Sequence, residues 1–354
     1  MRAFGAPHRY VQGAGALREL GSLASAYGRR PFAVIDAAVL EPLRGPIEGA
    51  LPGVDVGIFG GECTAAEIAR MSARAGDADL ILGIGGGKAI DTAKGVRIAR
   101  GGPILVVPTI ASNDAPTSRL CVVYTEDHAI SEVRMMATNP DVVLVDTAVI
   151  AAAPVRFFVA GIGDALSKKF EVAQCTATGG RNFYQARPTV LVSAVADLCY
   201  EILRRDGPAA VEAVRRGEVD EAVERVVEAT ILHSGLGFES GGLSLAHSLT
   251  RGTAAEPGIG RSLHGEQVAF GLLVQLAAEG RPEPELRDMV GFYRRIGLPT
   301  TLLALGSIGD GRAVAAAIAG RTMREAPYIG QFAPVLDVGS LTAAILTADA
   351  LGGG

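Results

Sequence analysis

The sequence predicts an α/β protein: a mostly parallel sheet covered on both faces in residues 1–153, then an all-helical domain in residues 154–354. Three observations lead there. Short β-branched runs alternate with longer Ala-rich segments up to about Ala153, the rhythm of strand and helix in a parallel sheet. The runs are continuously apolar, as strands buried on both faces must be. Beyond Ala153 they thin out and long segments of helical period take over. At 354 residues the chain is also long for a single hydrophobic core.

The expected strands are Phe32 to Ile35, Val54 to Phe59, Leu80 to Leu82, Ile104 to Val107, Cys121 to Tyr124 and Val142 to Val145. Between them, Thr64 to Ala75 and Lys88 to Arg100 carry the apolar spacing of helices. In the second half the helical segments are Arg156 to Gln174, Thr189 to Arg204, Val219 to Gly235, Gln267 to Ala278 and Glu283 to Ile296. Pro154 and Pro188 sit at helix starts, where proline is tolerated. Ligands of such sheets bind beyond the carboxyl ends of the strands, so a cleft facing the helical domain is the expected active site.

A net charge of -5 and a pI of about 5.7 give no general attraction to nucleic acid or to an anionic membrane. The four cysteines, Cys63, Cys121, Cys175 and Cys199, form no C-x-x-C pair, which fits a reducing cytoplasm. The N-terminal stretch lacks the apolar core of a signal peptide, and no apolar segment reaches the roughly 20 residues of a spanning helix. A cytoplasmic protein is expected.

The stretch Leu80 to Lys94, LILGIGGGKAIDTAK, places three glycines between a strand and a helix. It is not a P-loop, because Leu82 and Ala89 stand where a glycine and a Ser or Thr are needed. It is not G-x-G-x-x-G either, because Lys88 replaces the third glycine. Gly85, Gly86 and Gly87 nevertheless let backbone N–H groups converge on a ligand at a helix N-terminus, which suits a diphosphate; a tight turn without a ligand is the alternative. Asp36 ends the strand FAVID, where a carboxylate can accept ribose hydroxyls and repel a 2′-phosphate. It precedes the glycines by some fifty residues, so the strand order must differ from the usual one. The loop from Val106 to Thr125 is dense in Thr, Ser, Asn and Asp, and turn chemistry alone accounts for its Asn-Asp-Ala-Pro core.

Of five histidines, His233, His247 and His264 carry weight. His264-Gly265-Glu266 echoes the deaminase H-x-E, but no P-C-x-x-C follows. His247 and His264 stand near helix starts, and Asp164 is placed just inside another. An acid and two histidines can supply three ligands and leave a fourth position open, as catalytic zinc requires. Spacing alone leaves that reading and one of hydrogen-bonded core residues both open.

Taken together, GIGGGKAIDTAK, PTIASNDAPTSRLCVVYT, NPDVVLVDTAVIAAAPVRFFVAGIGDAL, SGLGFESGGLSLAHS and LHGEQVAFG resemble the glycerol dehydrogenase branch of the group III, iron-containing alcohol dehydrogenase superfamily. The likeness runs nearly end to end. It implies the dehydroquinate synthase-like architecture of an NAD-binding α/β domain and a helical domain, with one zinc ion in the cleft. It implies oxidation of a small polyol or vicinal diol by hydride transfer, and a ring-like homo-oligomer, commonly an octamer. Carried over by position, it makes Asp164, His247 and His264 the zinc ligands and places Asp114 at the substrate. It gives NAD to Asp36, to Gly87, Lys88, Ala89, Ile90 and Asp91, to Thr109 through Ser112, and to Ser118, Leu120 and Tyr124.

Lys168 and Lys169 depart from that branch, where uncharged or aromatic residues are usual. The position of Lys168 holds a further histidine in the iron enzymes, so three-ligand zinc is favoured over iron. Lys168 shares a helical face with Asp164 and is expected to snorkel to solvent; pointing inward, it would ask for an anionic substrate such as a polyol phosphate. A dehydroquinate synthase-like lyase is the alternative activity, but the cations it needs around a phosphate are not evident. A binding protein without catalysis is a third reading, disfavoured because every ligand position is filled.

Overall fold

The computed structural model describes all 354 residues. Eight strands form: β1 (Arg9–Gly13), β2 (Pro31–Asp36), β3 (Asp55–Phe59), β4 (Leu80–Gly85), β5 (Ile104–Pro108), β6 (Leu120–Tyr124), β7 (Ile130–Met135) and β8 (Val142–Asp146). Six of them build one parallel sheet in the order β1-β8-β5-β4-β2-β3. Alternate residues of one strand feed opposite layers. Ala33, Ile35, Leu105 and Val107 face one apolar cluster, while Phe32, Val34, Ile104 and Val106 face the other. Burial on both faces is why these strands read as unbroken apolar runs.

Two strands differ from expectation. Cys121 to Tyr124 leaves the sheet and pairs antiparallel with β7 in a separate hairpin. The sixth place in the sheet goes to β1, RYVQG, an edge strand whose half-buried residues carry no apolar run.

The chain forms two compact units, one of residues 5–155 and 213–235, the other of residues 1–4, 156–212 and 236–354. One change of unit falls between residues 155 and 156, and 213–235 return to the sheet-bearing unit. One reason is on β1: Gln12 donates to the backbone carbonyl and to the carboxylate of Glu224, each at 2.8 Å. Asp220 caps the helix Glu221–Glu228 by accepting from Val223 N–H at 2.9 Å. No helix is long and apolar enough to cross a membrane.

In the helical unit the helix Val155–Ala177 packs against the helix His264–Ala278 at very short range. Small residues permit it. A Cβ on Gly265 would collide with the Ala160 carbonyl, and one on Gly163 would lie 2.7 Å from the Gly265 carbonyl oxygen. The next residues along, Asp164 and His264, are brought together by this contact. Gly265→Ala is expected to cost about 1–3 kcal/mol, the usual penalty of forcing a methyl group into a filled core. Chemical denaturation measures it.

Candidate metal centre and nucleotide loop

Asp164, His247 and His264 offer ligand atoms that all lie within 4.8 Å of one another. Asp164 is not at a helix start as expected. It is buried in the middle of the helix Val155–Ala177, on the face that also carries Lys168 and Glu171. His247 lies in the first turn of Leu245–Thr253, which follows Gly242 at φ 92°, a conformation that favours glycine. His264 opens its helix, and the Glu266 carboxylate, itself clasped by Arg156 at 2.7 and 2.8 Å, accepts from Leu263 N–H at 2.8 Å to fix that start.

The imidazole of His247 is oriented by Glu171, whose Oε2 is 2.5 Å from Nδ1. The other oxygen of Glu171 accepts from the N–H groups of Ser244 at 2.9 Å and His247 at 3.0 Å. Nδ1–H donated to Glu171 leaves Nε2 aimed at Asp164, 3.2 Å from Oδ1. The opposite carboxylate oxygen, Oδ2, is buried and has no hydrogen-bond partner. A buried carboxylate oxygen without a donor is costly, and a carboxylate beside two imidazoles fits a divalent cation.

Charge in the cluster follows from its partners. Burial would raise the Asp164 carboxyl, but Lys168 and then His247 hold it well below the usual range. Glu171 is likewise lowered, against its own burial, chiefly by His247. Burial opposes the charge on His247, yet Glu171 and Asp164 raise it to about 9. His264 is open to solvent at its surface, while the atoms packed round the ring, with His247 and Lys168, push it down to about 4 against the pull of Asp164. This ring is neutral at pH 7.

Lys168 overturns the expectation that it snorkels outward. Its side chain is 0% exposed and its ammonium donates to Asp164 Oδ1 at 2.6 Å. The carboxylate four residues earlier on the same helix is a nearer partner than water. Lys169 takes the outer position, at 3.2 Å from Asp197 and over the Tyr200 ring.

In the sheet-bearing unit the strand order answers why the acid precedes the glycines. β2 and β4 are neighbours, so Asp36 ends beside Gly85; a Cβ on Gly85, whose φ is 150°, would lie 2.8 Å from Asp36 Cβ. Asp36 also caps the next helix through Ala38 N–H at 3.0 Å. Gly86 is the N-cap of the helix Gly87–Arg100, and no side chain caps that end, so its N–H groups and dipole stay available to an anion. Thr109 follows β5 and its N–H reaches the Gly85 carbonyl at 3.0 Å, which sets the start of the polar loop beside the glycines. Asn113 lies against Gly87.

Other expected nucleotide residues look inward. Ala89 and Ile90 are core residues, so only their backbone can serve a ligand. Asp91 is buried, accepting from Val122 N–H at 3.0 Å and from Lys94 at 3.1 Å. Lys94, 0% exposed, also donates at 2.6 Å to the carbonyls of Ala115 and Leu120 and lies 3.4 Å from Ser118 Oγ. It thereby pins both ends of the segment that holds Ser118 and Leu120. Lys88 reaches Glu62 at 2.6 Å and stands 5.0 Å from the centre of the Tyr124 ring. Asp114 accepts from Ser234 Oγ at 3.3 Å. His233, 3.2 Å from Glu228, belongs to this unit and takes no part in the metal cluster.

The family model "Iron-containing alcohol dehydrogenase" matches residues 7–147. The chain is 43% identical to glycerol dehydrogenase of Thermotoga maritima, over 86% of this chain and 84% of that protein. It is 39% identical to glycolaldehyde reductase of Halobacterium salinarum, over 99% of this chain and 97% of that one. Among solved structures, a probable glycerol dehydrogenase from Sinorhizobium meliloti superposes with a TM-score of 0.93 at 39% identity, covering 99% of each chain.

The raised pKa of His247 gives a pH dependence with a definite sign. The protonated ring stabilises the metal-free protein fully below its unfolded value near 6.5, and that contribution is lost as pH rises through about 9. A cation bound to Nε2 must displace the same proton. Calorimetric titration of zinc near pH 7.5, in two buffers of different ionisation enthalpy, is expected to show about one proton released per site, falling towards none above pH 10.

Proposed function

Because the chain belongs to the iron-containing alcohol dehydrogenase family, we propose that it is an NAD- and zinc-dependent dehydrogenase that interconverts a small vicinal diol, glycerol-like, and its hydroxycarbonyl partner. The chain is a glycerol dehydrogenase-like oxidoreductase. What carries the finer reading is the convergence of Asp164, His247 and His264, whose ligand atoms lie within 4.8 Å of one another, with one buried oxygen of Asp164 lacking a protein donor.

Asp164, His247 Nε2 and His264 would hold zinc, which supplies Lewis-acid polarisation of a hydroxyl. Glu171 keeps His247 in the tautomer that presents Nε2. The uncapped N–H groups after Gly86 would receive the pyrophosphate of NAD, the carrier of the hydride. Asp36 would accept the adenosine ribose hydroxyls from its place beside Gly85. Asp114, steadied by Ser234, is the carboxylate of the polar loop suited to accept a hydrogen bond from a substrate hydroxyl and to take its proton. Because Lys168 is enclosed, an anionic group on the substrate has no cation to meet there, which favours a neutral diol over a polyol phosphate.

Two variants test the reading. Asp114→Asn should leave NAD affinity nearly intact and lower kcat on glycerol by about 10²–10⁴-fold, the usual worth of a general base. Loss of the fold or of cofactor binding would instead mark it as a turn residue. Asp36→Ser keeps a helix cap while removing the charge, so it should relax a preference for NAD over NADP, read as the ratio of kcat/KM values. Equal use of both cofactors by the unaltered enzyme would refute the role given to Asp36.

A further inference from the structure

Lys168 is a full-length lysine enclosed in protein, 0% exposed, beside the carboxylate that a cation is expected to bind. Its ammonium donates to Asp164 Oδ1 at 2.6 Å and to the Asp164 carbonyl at 3.1 Å. Room for its stem comes from Gly237, where an added Cβ would lie 3.2 Å from Lys168 Cβ. We propose that Lys168 is a resident counter-cation of the metal site: it holds Asp164 through Oδ1 and lowers the affinity of the site for a divalent ion. The proposal rests on the reading of Asp164, His247 and His264 as metal ligands.

Two buried carboxylates, Asp164 and Glu171, need compensating charge whether or not a metal is bound. In the metal-free protein Lys168 supplies it at Asp164, so the site keeps its shape without an ion. An entering dication finds Asp164 with one oxygen that has no protein donor. It also finds an ammonium on the other oxygen of the same carboxylate, where water cannot screen the repulsion. The lysine cannot swing away, because its stem is enclosed by protein. A site built this way trades tight retention of the metal for a cavity that is ready before the metal arrives.

The test compares zinc affinities of the metal-stripped, full-length protein, its Lys168→Met variant and its Lys168→Gln variant, by competition with a chromophoric chelator. Methionine keeps the bulk of the stem, and glutamine also keeps a neutral donor for Oδ1. Both variants are expected to bind zinc more tightly, by about tenfold or more, the scale on which groups behind the ligands act. The metal-free Lys168→Met protein should melt at a lower temperature than the unaltered protein and gain more from added zinc. Should methionine prevent folding, the glutamine variant decides alone. Equal or weaker zinc binding by the variants, with measurable binding by the unaltered protein, overturns the proposal and leaves the metal reading standing. No zinc binding by any of the three overturns both. Binding by the variants alone supports the proposal.

Discussion

Two carboxylates, Asp164 at 1% exposure and Glu171 at 0%, are carried into the interior of the helical unit, and much of that unit is arranged around their charge. Removing an ionised carboxylate from water costs several kcal/mol even after relaxation, so each must be met by partners at once strong and well placed. Glu171 is met by the backbone N–H groups of Ser244 and His247 and by the His247 ring, which ties the first turn of one helix to the middle of another. Asp164 is met by Lys168 on one oxygen only. The close helix contact at Gly163 and Gly265 then brings His264 near Asp164, so packing and charge converge on the same few ångströms. Of the four oxygens of the two carboxylates, all are matched except Asp164 Oδ2.

In the sheet-bearing unit the helix start after Gly86 leaves its backbone N–H groups without a side-chain cap. Here glycine does what charge does elsewhere. Gly85 adopts φ 150° beside Asp36, and the uncapped helix start follows at once. Lys94 then works as an internal tether, drawing the carbonyls of Ala115 and Leu120 to one ammonium so that the polar loop cannot drift from the helix it serves. That unit buries Asp91 with Lys94, as the helical unit buries Asp164 with Lys168.

Much of this was legible in the sequence where a signal was periodic or sharply punctuated. Unbroken apolar runs gave five strands of the sheet, and the three glycines marked the helix start at Gly87. β1 was missed because RYVQG is an edge strand, and β7 because ISEVRM is exposed along nearly all its length. Cys121 to Tyr124 reads like a strand of the main sheet because burial looks the same in a covered hairpin as in a central strand. Asp164, His247 and His264, the expected ligands, lie together in space, and Glu171 joins them, its place seven residues after Asp164 and three after Lys168 tracing one helical face. The inward turn of Lys168 was not legible at all. Sequence spacing shows that a lysine shares a face with an aspartate; only packing shows whether that face meets water.

The burial of lysine has a practical side for chemistry done on this protein. Its sequence holds four lysines, Lys88, Lys94, Lys168 and Lys169, and two of them are sealed at 0% exposure. Amine-directed reagents, whether acylating agents, cross-linkers or activated surfaces, are left with Lys88, Lys169 and the chain's amino terminus. Lys88 stands in the first turn of the helix that follows the three glycines, with its side chain 45% exposed. Acylation there would take a positive charge from the glycine loop, whereas attachment through Lys169 would leave that loop untouched.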